Sequence, residues 1–314
     1  MEDQFDVSVV IPTYNRSDLL FAALESLVAQ ELKDLRYEVI VVDNNSTDRT
    51  AEVVKSFGGS KLPVRYVFEA RQGHSYARNA GISQSRAPIV AFADDDVTVS
   101  RNWLATIKET FDAHPEIGFI GGKVQPVWVA PPPRWLTSQH WGPLALQDHG
   151  DSEFYLEPNK VIGVISANLG VRRELFEKFG MFSADVQMVG SDIGGMEDHE
   201  YVERLWRAGV TGLYVPKLVV HAPVDTNRTR KTYHRRWHKG HGRHYAIMRE
   251  GRMEKASWCL FGVPAHLYRQ GLIDSFGLVK HWLRRQEEQA FLCEAHLWFF
   301  LGFWSKRVQD DLFK

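Results

Sequence analysis

The sequence predicts an α/β fold: a Rossmann-like, mostly parallel β-sheet with helices on both faces, followed by a C-terminal helical extension. Short apolar runs alternate with stretches of helical period over roughly the first 100 residues. These runs are continuously apolar, as in strands that are covered on both faces. Beyond residue 224 the chain instead becomes basic and rich in aromatic residues.

The first two βα units are the clearest. Residues 7–11 form a β-branched run that ends at Pro12, and Ser17 opens a helical stretch. Residues 38–42 form a second apolar run that ends at Asp43, and turn and capping residues then lead into a helix. The expected buried face of the first helix is Leu20, Ala23, Leu24, Leu27 and Val28.

The next unit ends at three consecutive aspartates. A strand over residues 64–68 and a helix from about Ser75 lead to the apolar run 87–93, which the aspartates 94–96 follow. Three adjacent carboxylates repel one another unless a cation lies among them, and oxygen ligands suit Mg²⁺ or Mn²⁺. The aspartates therefore indicate either a metal site or a solvated acidic turn.

The pattern is less regular after this strand. We expect a helix over residues 103–111, a long surface excursion over 125–160, which contains three prolines in a row, a strand over 161–165 and a helix over 172–179. A further helix follows residues 197–198. Its expected buried face is Tyr201, Val202, Leu205 and Trp206.

Polar residues that follow separate strands should meet at one edge of the sheet. In open parallel sheets the ligand lies beyond the carboxyl ends of the strands. Three stretches occupy such ends: residues 12–14, Asp43 and residues 94–96. The sequence therefore predicts a binding crevice at this edge.

Charge divides the chain into two expected domains, a catalytic domain over residues 1–224 and an extension over residues 225–314. The first holds 21 basic and 30 acidic residues, and the second holds 17 and 9, so their net charges are −9 and +8. The two cysteines, Cys259 and Cys293, are typical of a reducing compartment. Neither a signal peptide nor an apolar membrane span is evident, so we expect a cytoplasmic protein.

Five segments carry a family resemblance. In chain order they are VSVVIPTYNR, VIVVDNNSTDRT, GHSYARNAGI, FADDDV and GMEDHEYVERLWRAG. Together, over about 200 residues, they resemble the successive motifs of family 2 inverting glycosyltransferases, which have the GT-A fold. The resemblance implies a nucleotide-diphosphate sugar donor, a saccharide or lipid-linked acceptor, and Mn²⁺ or Mg²⁺ as the cofactor.

The resemblance also implies roles on the donor side of the site. Asp43 would accept a hydrogen bond from the base, although it could instead cap the next helix. Arg78, with Asn79, would face the donor phosphates or brace the acidic loop, although an arginine there could also form a surface ion pair. The residues implied near the base and ribose are Pro12, Thr13, Tyr14 and Arg16.

The aspartates correspond to the family's DxD motif. Asp94 would lie near the ribose and Asp96 would bind the metal. Because Asp95 occupies the middle position, the direct ligand stays open between Asp95 and Asp96. His221 resembles a histidine that serves as a further metal ligand or phosphate contact, although a lone histidine is more often structural.

Glu197 and Asp198 resemble the family's ED motif, in which the aspartate is the general base for the acceptor hydroxyl. The alternative is that both acids only favour the N-terminus of the following helix.

Two rival functions remain at this point. A nucleotidyltransferase on a related sheet would attack phosphorus, and a non-catalytic sugar-nucleotide or nucleic-acid binding protein would not need Asp198.

The basic segment 228–243 fits a solvated helix face, a lid over the diphosphate or a patch for anionic lipids. No nucleic-acid motif accompanies it, so nucleic acid is not an expected partner. The aromatic-rich stretches 258–263, 276–283 and 290–304 are expected either to contact a membrane peripherally or to pack on protein.

Overall fold

The computed structural model divides into two compact units. It describes residues 5–32, 34–59, 62–156, 164–189, 193–249 and 258–312. The N-terminal unit comprises Met1–Val127, Ala145–Ala184 and Glu197–Pro223. The C-terminal unit comprises Trp128–Leu144, Asp185–Met196 and Val224–Lys314.

A nine-stranded sheet forms the centre of the N-terminal unit. Its order is β3-β2-β1-β4-β8-β6-β9-β5, and β7 pairs with β9. Strands β1 to β4 run parallel, whereas β8 is antiparallel to both β4 and β6. The strands are β1 Val7–Thr13, β2 Tyr37–Asp43, β3 Val64–Phe68, β4 Ile89–Phe92, β5 Thr98–Val99, β6 Ile117–Trp128, β7 Phe154–Leu156, β8 Leu169–Arg172 and β9 Thr211–Val224.

Helices cover this sheet and confirm the predicted α/β class. Helix α3 lies close to β1, because a Cβ atom at Gly81 would collide with the side chain of Val10. Val28 is exposed, so the predicted apolar face of α1 ends one residue earlier, at Leu27. The helices are α1 Ser17–Val28, α2 Thr50–Phe57, α3 His74–Gln84, α4 Trp103–Ala113, α5 Glu174–Phe179 and α6 Glu197–Arg207.

The prediction of a surface excursion over residues 125–160 needs correction at its start and around Trp135. Strand β6 continues to Trp128, and short 3₁₀ turns occupy Ser138–His140 and Gly142–Leu144. Trp135 is buried against Phe291, with ring centroids 4.5 Å apart. The prolines end the strand as expected, but the apolar residues after them enter the core of the C-terminal unit. Residues 157–160 lie outside the described residues.

The next two predicted elements also need correction. Of the strand expected over residues 161–165, residues 161–163 lie outside the described residues, and residues 164–165 precede the 3₁₀ turn Ser166–Asn168. The helix expected from residue 172 begins at Glu174. Arg172 instead ends β8, where its guanidinium donates hydrogen bonds to the carbonyls of Ile117 and Phe111.

Within the described residues, the C-terminal unit contains three long helices. Gly242 of α7 allows close packing on α9, because a Cβ there would collide with the carbonyl oxygen of Phe299. Part of the basic segment pairs with α9, since Arg235 donates to Glu294 at 2.6 Å. The elements are α7 Lys231–Met248, β10 Cys259–Leu260, β11 Val263–Pro264, α8 Ala265–Leu283 and α9 Glu287–Leu312.

None of the helices within the described ranges has both the length and the apolar composition that are needed to cross a bilayer.

Candidate active site

The loops that follow β1 and β2 are hydrogen-bonded to each other. Asn15, whose φ is 52°, accepts the N–H of Thr47 at 2.7 Å, and its own N–H donates to the hydroxyl of Ser46 at 2.9 Å. Asp48 accepts the N–H of Ser17 at 2.9 Å. These bonds fix the carboxyl ends of two parallel strands side by side, where the sequence predicted a crevice.

Asp43, at the end of β2, is bonded through both of its oxygens. Oδ1 accepts the N–H of Ser46 at 2.8 Å, and Oδ2 accepts the Tyr66 hydroxyl at 2.6 Å. Burial and the bond to Asp43 raise the pKa of Tyr66 to about 12. The N–H of Thr50, at the start of α2, donates to Asp48 instead, so the helix-capping alternative does not explain Asp43.

The acidic loop after β4 pairs with Arg16 from the first loop. Nη1 of Arg16 donates to Asp95 Oδ1 at 3.2 Å and to Asp96 Oδ2 at 3.1 Å. Burial raises the pKa of Asp95 to about 7; the charge of Arg16 opposes this shift, whereas Asp96 adds to it. The loop therefore carries more negative charge than Arg16 compensates.

Arg78 of α3 connects the acidic loop to the start of α6. Its Nη2 lies 3.4 Å from Asp94 Oδ1, and its Nη1 lies 3.1 Å from Glu197 Oε1 and 3.4 Å from Asp198 Oδ1. Burial alone would lower the pKa of Arg78, but the three carboxylates raise it above its ordinary value. A buried guanidinium thus holds together acids from two separate chain segments, which excludes the surface ion pair considered above.

Glu197 and Asp198 differ in their surroundings although they are adjacent. Burial, and then the charge of Asp198, raise the pKa of Glu197 to about 7, although Arg78 lowers it. Asp198 is more accessible, and its Oδ2 accepts the backbone N–H of Ser166 at 3.0 Å. One oxygen of Asp198 is thereby oriented at the helix start, in a position that suits a base.

The remaining predicted residues have varied positions. Asn79 is directed away from the carboxylates, since its amide accepts the N–H of Phe182 at 3.0 Å and donates to the Phe182 carbonyl at 2.9 Å. Thr13 is buried and Tyr14 is exposed at the end of β1. His221 pairs in register with Thr98, two residues after the acidic loop. Pro12, on β1, is in register with Val42 of β2.

Two contacts were missed by sequence reasoning. Nδ1 of His74 lies 3.6 Å from Glu197 Oε1, and His74 stands inside the third family-like segment, at the first position of α3. Its place in that segment was a signal that could have identified it. The N–H of Ser166 gave no such signal, because any non-proline residue could supply it.

The donor set of this site fits a hard divalent cation. Five carboxylates face two guanidinium groups. Arg16 contacts Asp95 and Asp96, and Arg78 contacts Asp94, Glu197 and Asp198. Within the described part of the chain, however, no group of three or more His, Cys, Asp or Glu side chains has the arrangement of a metal site. The oxygen atoms and the negative charge of these acids suit such a cation. In this structure the same acids are paired with Arg16 and Arg78.

The fold matches that of solved sugar transferases. A mannosyltransferase from Pyrobaculum calidifontis, in complex with GDP-Man and Mn²⁺, superposes with a TM-score of 0.58 at 20% identity. The match covers 94% of this chain and 86% of the other. Neighbours of this kind have the GT-A fold, so the fold expected from the resemblance is confirmed.

Curated relatives share sequence with this chain as well. A glucosyl-dolichyl phosphate glucuronosyltransferase from Haloferax volcanii is 29% identical over 186 residues, and a GalNAc(5)-diNAcBac-PP-undecaprenol beta-1,3-glucosyltransferase from Campylobacter jejuni is 35% identical over 105. The matches cover 59% and 33% of this chain, and 58% and 33% of the relatives' lengths.

The family model described as glycosyl transferase family 2 matches residues 8–180, more than half of the chain. This range includes β1, the acidic loop and Arg78. The chain therefore belongs to glycosyl transferase family 2.

Proposed function

We propose that this protein is a metal-dependent, inverting glycosyltransferase that moves a sugar from a nucleoside diphosphate to an acceptor hydroxyl. The observation that carries the proposal is the joining of two acidic groups by one buried arginine. Arg78 contacts Asp94 on one side and Glu197 and Asp198 on the other. This arrangement keeps a leaving-group side and an acceptor side within one side-chain length of each other.

The proposed reaction is a single displacement at the anomeric carbon. Asp198 accepts the proton of the acceptor hydroxyl while the hydroxyl oxygen bonds to that carbon. The bond from the anomeric carbon to the diphosphate oxygen breaks, and the nucleoside diphosphate leaves with the electron pair. Attack from the face opposite the leaving group inverts the anomeric configuration.

The chain's own groups would prepare this step. Ser166 N–H holds one oxygen of Asp198, and the buried Arg78 lies 3.4 Å from the other. Asp43 and the exposed Tyr14 lie at the strand ends proposed for the base. A Mn²⁺ or Mg²⁺ ion held by Asp96, with Asp95 and His221 as further candidates, would neutralise charge on the diphosphate.

Support for the substrates comes from the relatives. The names of two relatives include a dolichyl phosphate and a PP-undecaprenol, which are lipid-linked, and the solved mannosyltransferase holds GDP-Man and Mn²⁺. We therefore propose a lipid-linked saccharide as the acceptor, in glycoconjugate synthesis.

The test of this function is the Asp198→Asn variant. Sugar transfer from a panel of UDP- and GDP-sugars should fall about 10²- to 10⁴-fold, because general-base catalysis contributes that much. Calorimetric affinity for UDP or GDP with Mn²⁺ should stay within a few-fold of the wild type. Asp112→Asn, at an exposed position on α4, is the matched control and should leave both quantities unchanged.

Two results would contradict the proposal. Near-normal transfer by Asp198→Asn would remove the assigned base. A product whose anomeric configuration, measured by NMR, matches that of the donor would show that the reaction does not invert.

A further inference from the structure

Helix α8 exposes a row of large apolar side chains. Leu272, Phe276, Val279 and Leu283 recur with the spacing that places residues on one face of a helix. All four are exposed, Phe276 by 76%, and the neighbouring Trp282 is exposed by 72%. Soluble proteins rarely leave such a continuous apolar row in water unless it binds something.

The opposite face of α8 already packs within the C-terminal unit. Leu267 packs against the buried cluster that contains Phe303. Asp274 is buried, and its Oδ1 lies 3.2 Å from Nδ1 of His296 on α9. The apolar row is therefore additional to the packing face of this helix.

A hairpin at the start of α8 adds a second exposed apolar element. Its turn consists of Phe261 and Gly262, with φ values of 51° and 65°. Such turns favour Asn or Gly, and a bulky residue with positive φ is uncommon, yet Phe261 occupies this position and is 60% exposed. The hairpin is fixed to α8, since Ala265 N–H donates to the carbonyl of Trp258 at 3.1 Å.

The charges around the row have a single sign. Asp274 is the one acidic residue in the sequence of α8, and it is buried. The basic residues on α8 and directly after it are exposed: Arg269, Lys280, Arg284 and Arg285. The exposed charged side chains of α8 and of the two residues after it are therefore all cationic.

We propose that this surface, defined by Leu272, Phe276, Val279, Trp282 and Leu283 together with Phe261, docks onto an anionic lipid bilayer. The apolar side chains enter the boundary between headgroups and acyl chains, and the four cations contact anionic headgroups. Aromatic residues such as Trp282 are enriched at this depth.

Charge favours a bilayer over a second copy of the chain. In a two-fold symmetric dimer the same patch faces itself, so these cations would approach one another and repel. A bilayer offers the complementary sign. The inference rests on the proposed function only for its purpose, which is access to a lipid-linked acceptor; the docking itself does not require catalysis.

Vesicle flotation of the full chain tests the surface. Wild type should float with vesicles of phosphatidylcholine that contain roughly one third phosphatidylglycerol, and less with phosphatidylcholine alone. Phe276→Glu should lower the partition coefficient at least about tenfold, because it removes a large apolar group and adds a repelled charge. Val129→Glu, at an exposed position of the same unit outside this surface, is the matched control and should float like wild type.

The cations can be tested separately. Replacing Arg284 and Arg285 together by Gln should weaken binding to the anionic vesicles by about fivefold per charge, and leave binding to phosphatidylcholine nearly unchanged.

Three outcomes would overturn the docking surface. In the first, wild type floats with neither vesicle, and in the second, Phe276→Glu and wild type float equally. In the third, sedimentation velocity would show a wild-type dimer that Phe276→Glu converts to monomer, which would assign the surface to a second copy.

Calorimetry with UDP or GDP and Mn²⁺, without vesicles, separates the proposals: vesicle binding without nucleotide binding would refute the proposed function and leave the docking surface intact.

Discussion

Arg16 and Arg78 both pair with carboxylates of the active site, but their surroundings are opposite. The side chain of Arg78 is 3% exposed and contacts Asp94, Glu197 and Asp198. The side chain of Arg16 is 51% exposed and contacts Asp95 and Asp96. One arginine is enclosed by acids from two chain segments, whereas the other lies over the acidic loop from the solvent side.

This difference separates a permanent counter-ion from an exchangeable one. Removing one partner of a buried ion pair leaves an uncompensated charge in a poorly solvated place, while an exposed pair contributes little because water screens it. We infer that Arg78 fixes Glu197 and Asp198 beside Asp94 as part of the fold. Arg16, in contrast, holds the acidic loop only until another cation or a ligand takes its place.

The largest expected effect comes from removing the buried arginine. Arg78→Met should lower the free energy of unfolding by about 3–5 kcal/mol, since three carboxylates lose their shared counter-ion. Arg78→Lys should be intermediate, because a single ammonium cannot reach both sides as a planar guanidinium does. Urea unfolding followed by circular dichroism measures both variants.

Arg16→Met provides the matched control for this measurement. It should cost no more than about 1 kcal/mol, because its pairs are half exposed. Equal losses for the Arg16 and Arg78 variants would contradict the distinction between the two arginines.

A second prediction concerns Glu197, whose negative charge Arg78 compensates only in part. Burial and Asp198 raise the pKa of Glu197 from 4.5 to about 7, so the folded state holds this proton more tightly than the unfolded chain. The contribution of Glu197 to stability is therefore full at low pH and declines as pH rises through this window. Relative to wild type, Glu197→Gln should gain on the order of 2 kcal/mol between pH values of about 4.5 and 7.

The measurement is urea unfolding of both proteins across this pH range. Glu177→Gln, at an exposed position of α5, should show no such gain. A stability difference between Glu197→Gln and wild type that does not vary with pH would mean that Arg78 compensates Glu197 fully.

The carboxylates of the site could be predicted from the sequence, because their positions depend on the local order of strands and loops along the chain. Asp43 and the three aspartates directly follow apolar runs, and the carboxyl ends of parallel strands meet at one edge. The helix α6 was predicted separately, from the spacing of its buried face, and the acids at its start favour a helix N-terminus.

The arginine contacts could be predicted only in part. Arg78 and Glu197 are 119 residues apart in the chain, and their contact depends on how α3 and α6 pack on the sheet. Sequence periodicity reports burial along one element and gives no distance between two. The burial of Trp135 was missed for the same reason, since its partner Phe291 lies on a distant helix.

The smallest expected effect concerns Arg16, the counter-ion that we infer to be exchangeable. Nη1 of Arg16 lies within 3.2 Å of Asp95 and 3.1 Å of Asp96, so a divalent cation bound by these acids must compete with it. Arg16→Met should bind Mn²⁺ several-fold more tightly than wild type in the absence of nucleotide, up to about tenfold if both pairs contribute fully. Isothermal titration calorimetry with MnCl₂ measures the affinity.

Two controls identify the source of such a gain. Arg49→Met removes an arginine that is also solvent-accessible but pairs with Asp18, so it should leave Mn²⁺ affinity unchanged. Arg16→Met/Asp96→Ala should lose the gain, because the acid for which the two cations compete is then absent. Unchanged or weaker Mn²⁺ binding by Arg16→Met would show that Arg16 supports the acidic loop as permanently as Arg78 supports Glu197 and Asp198.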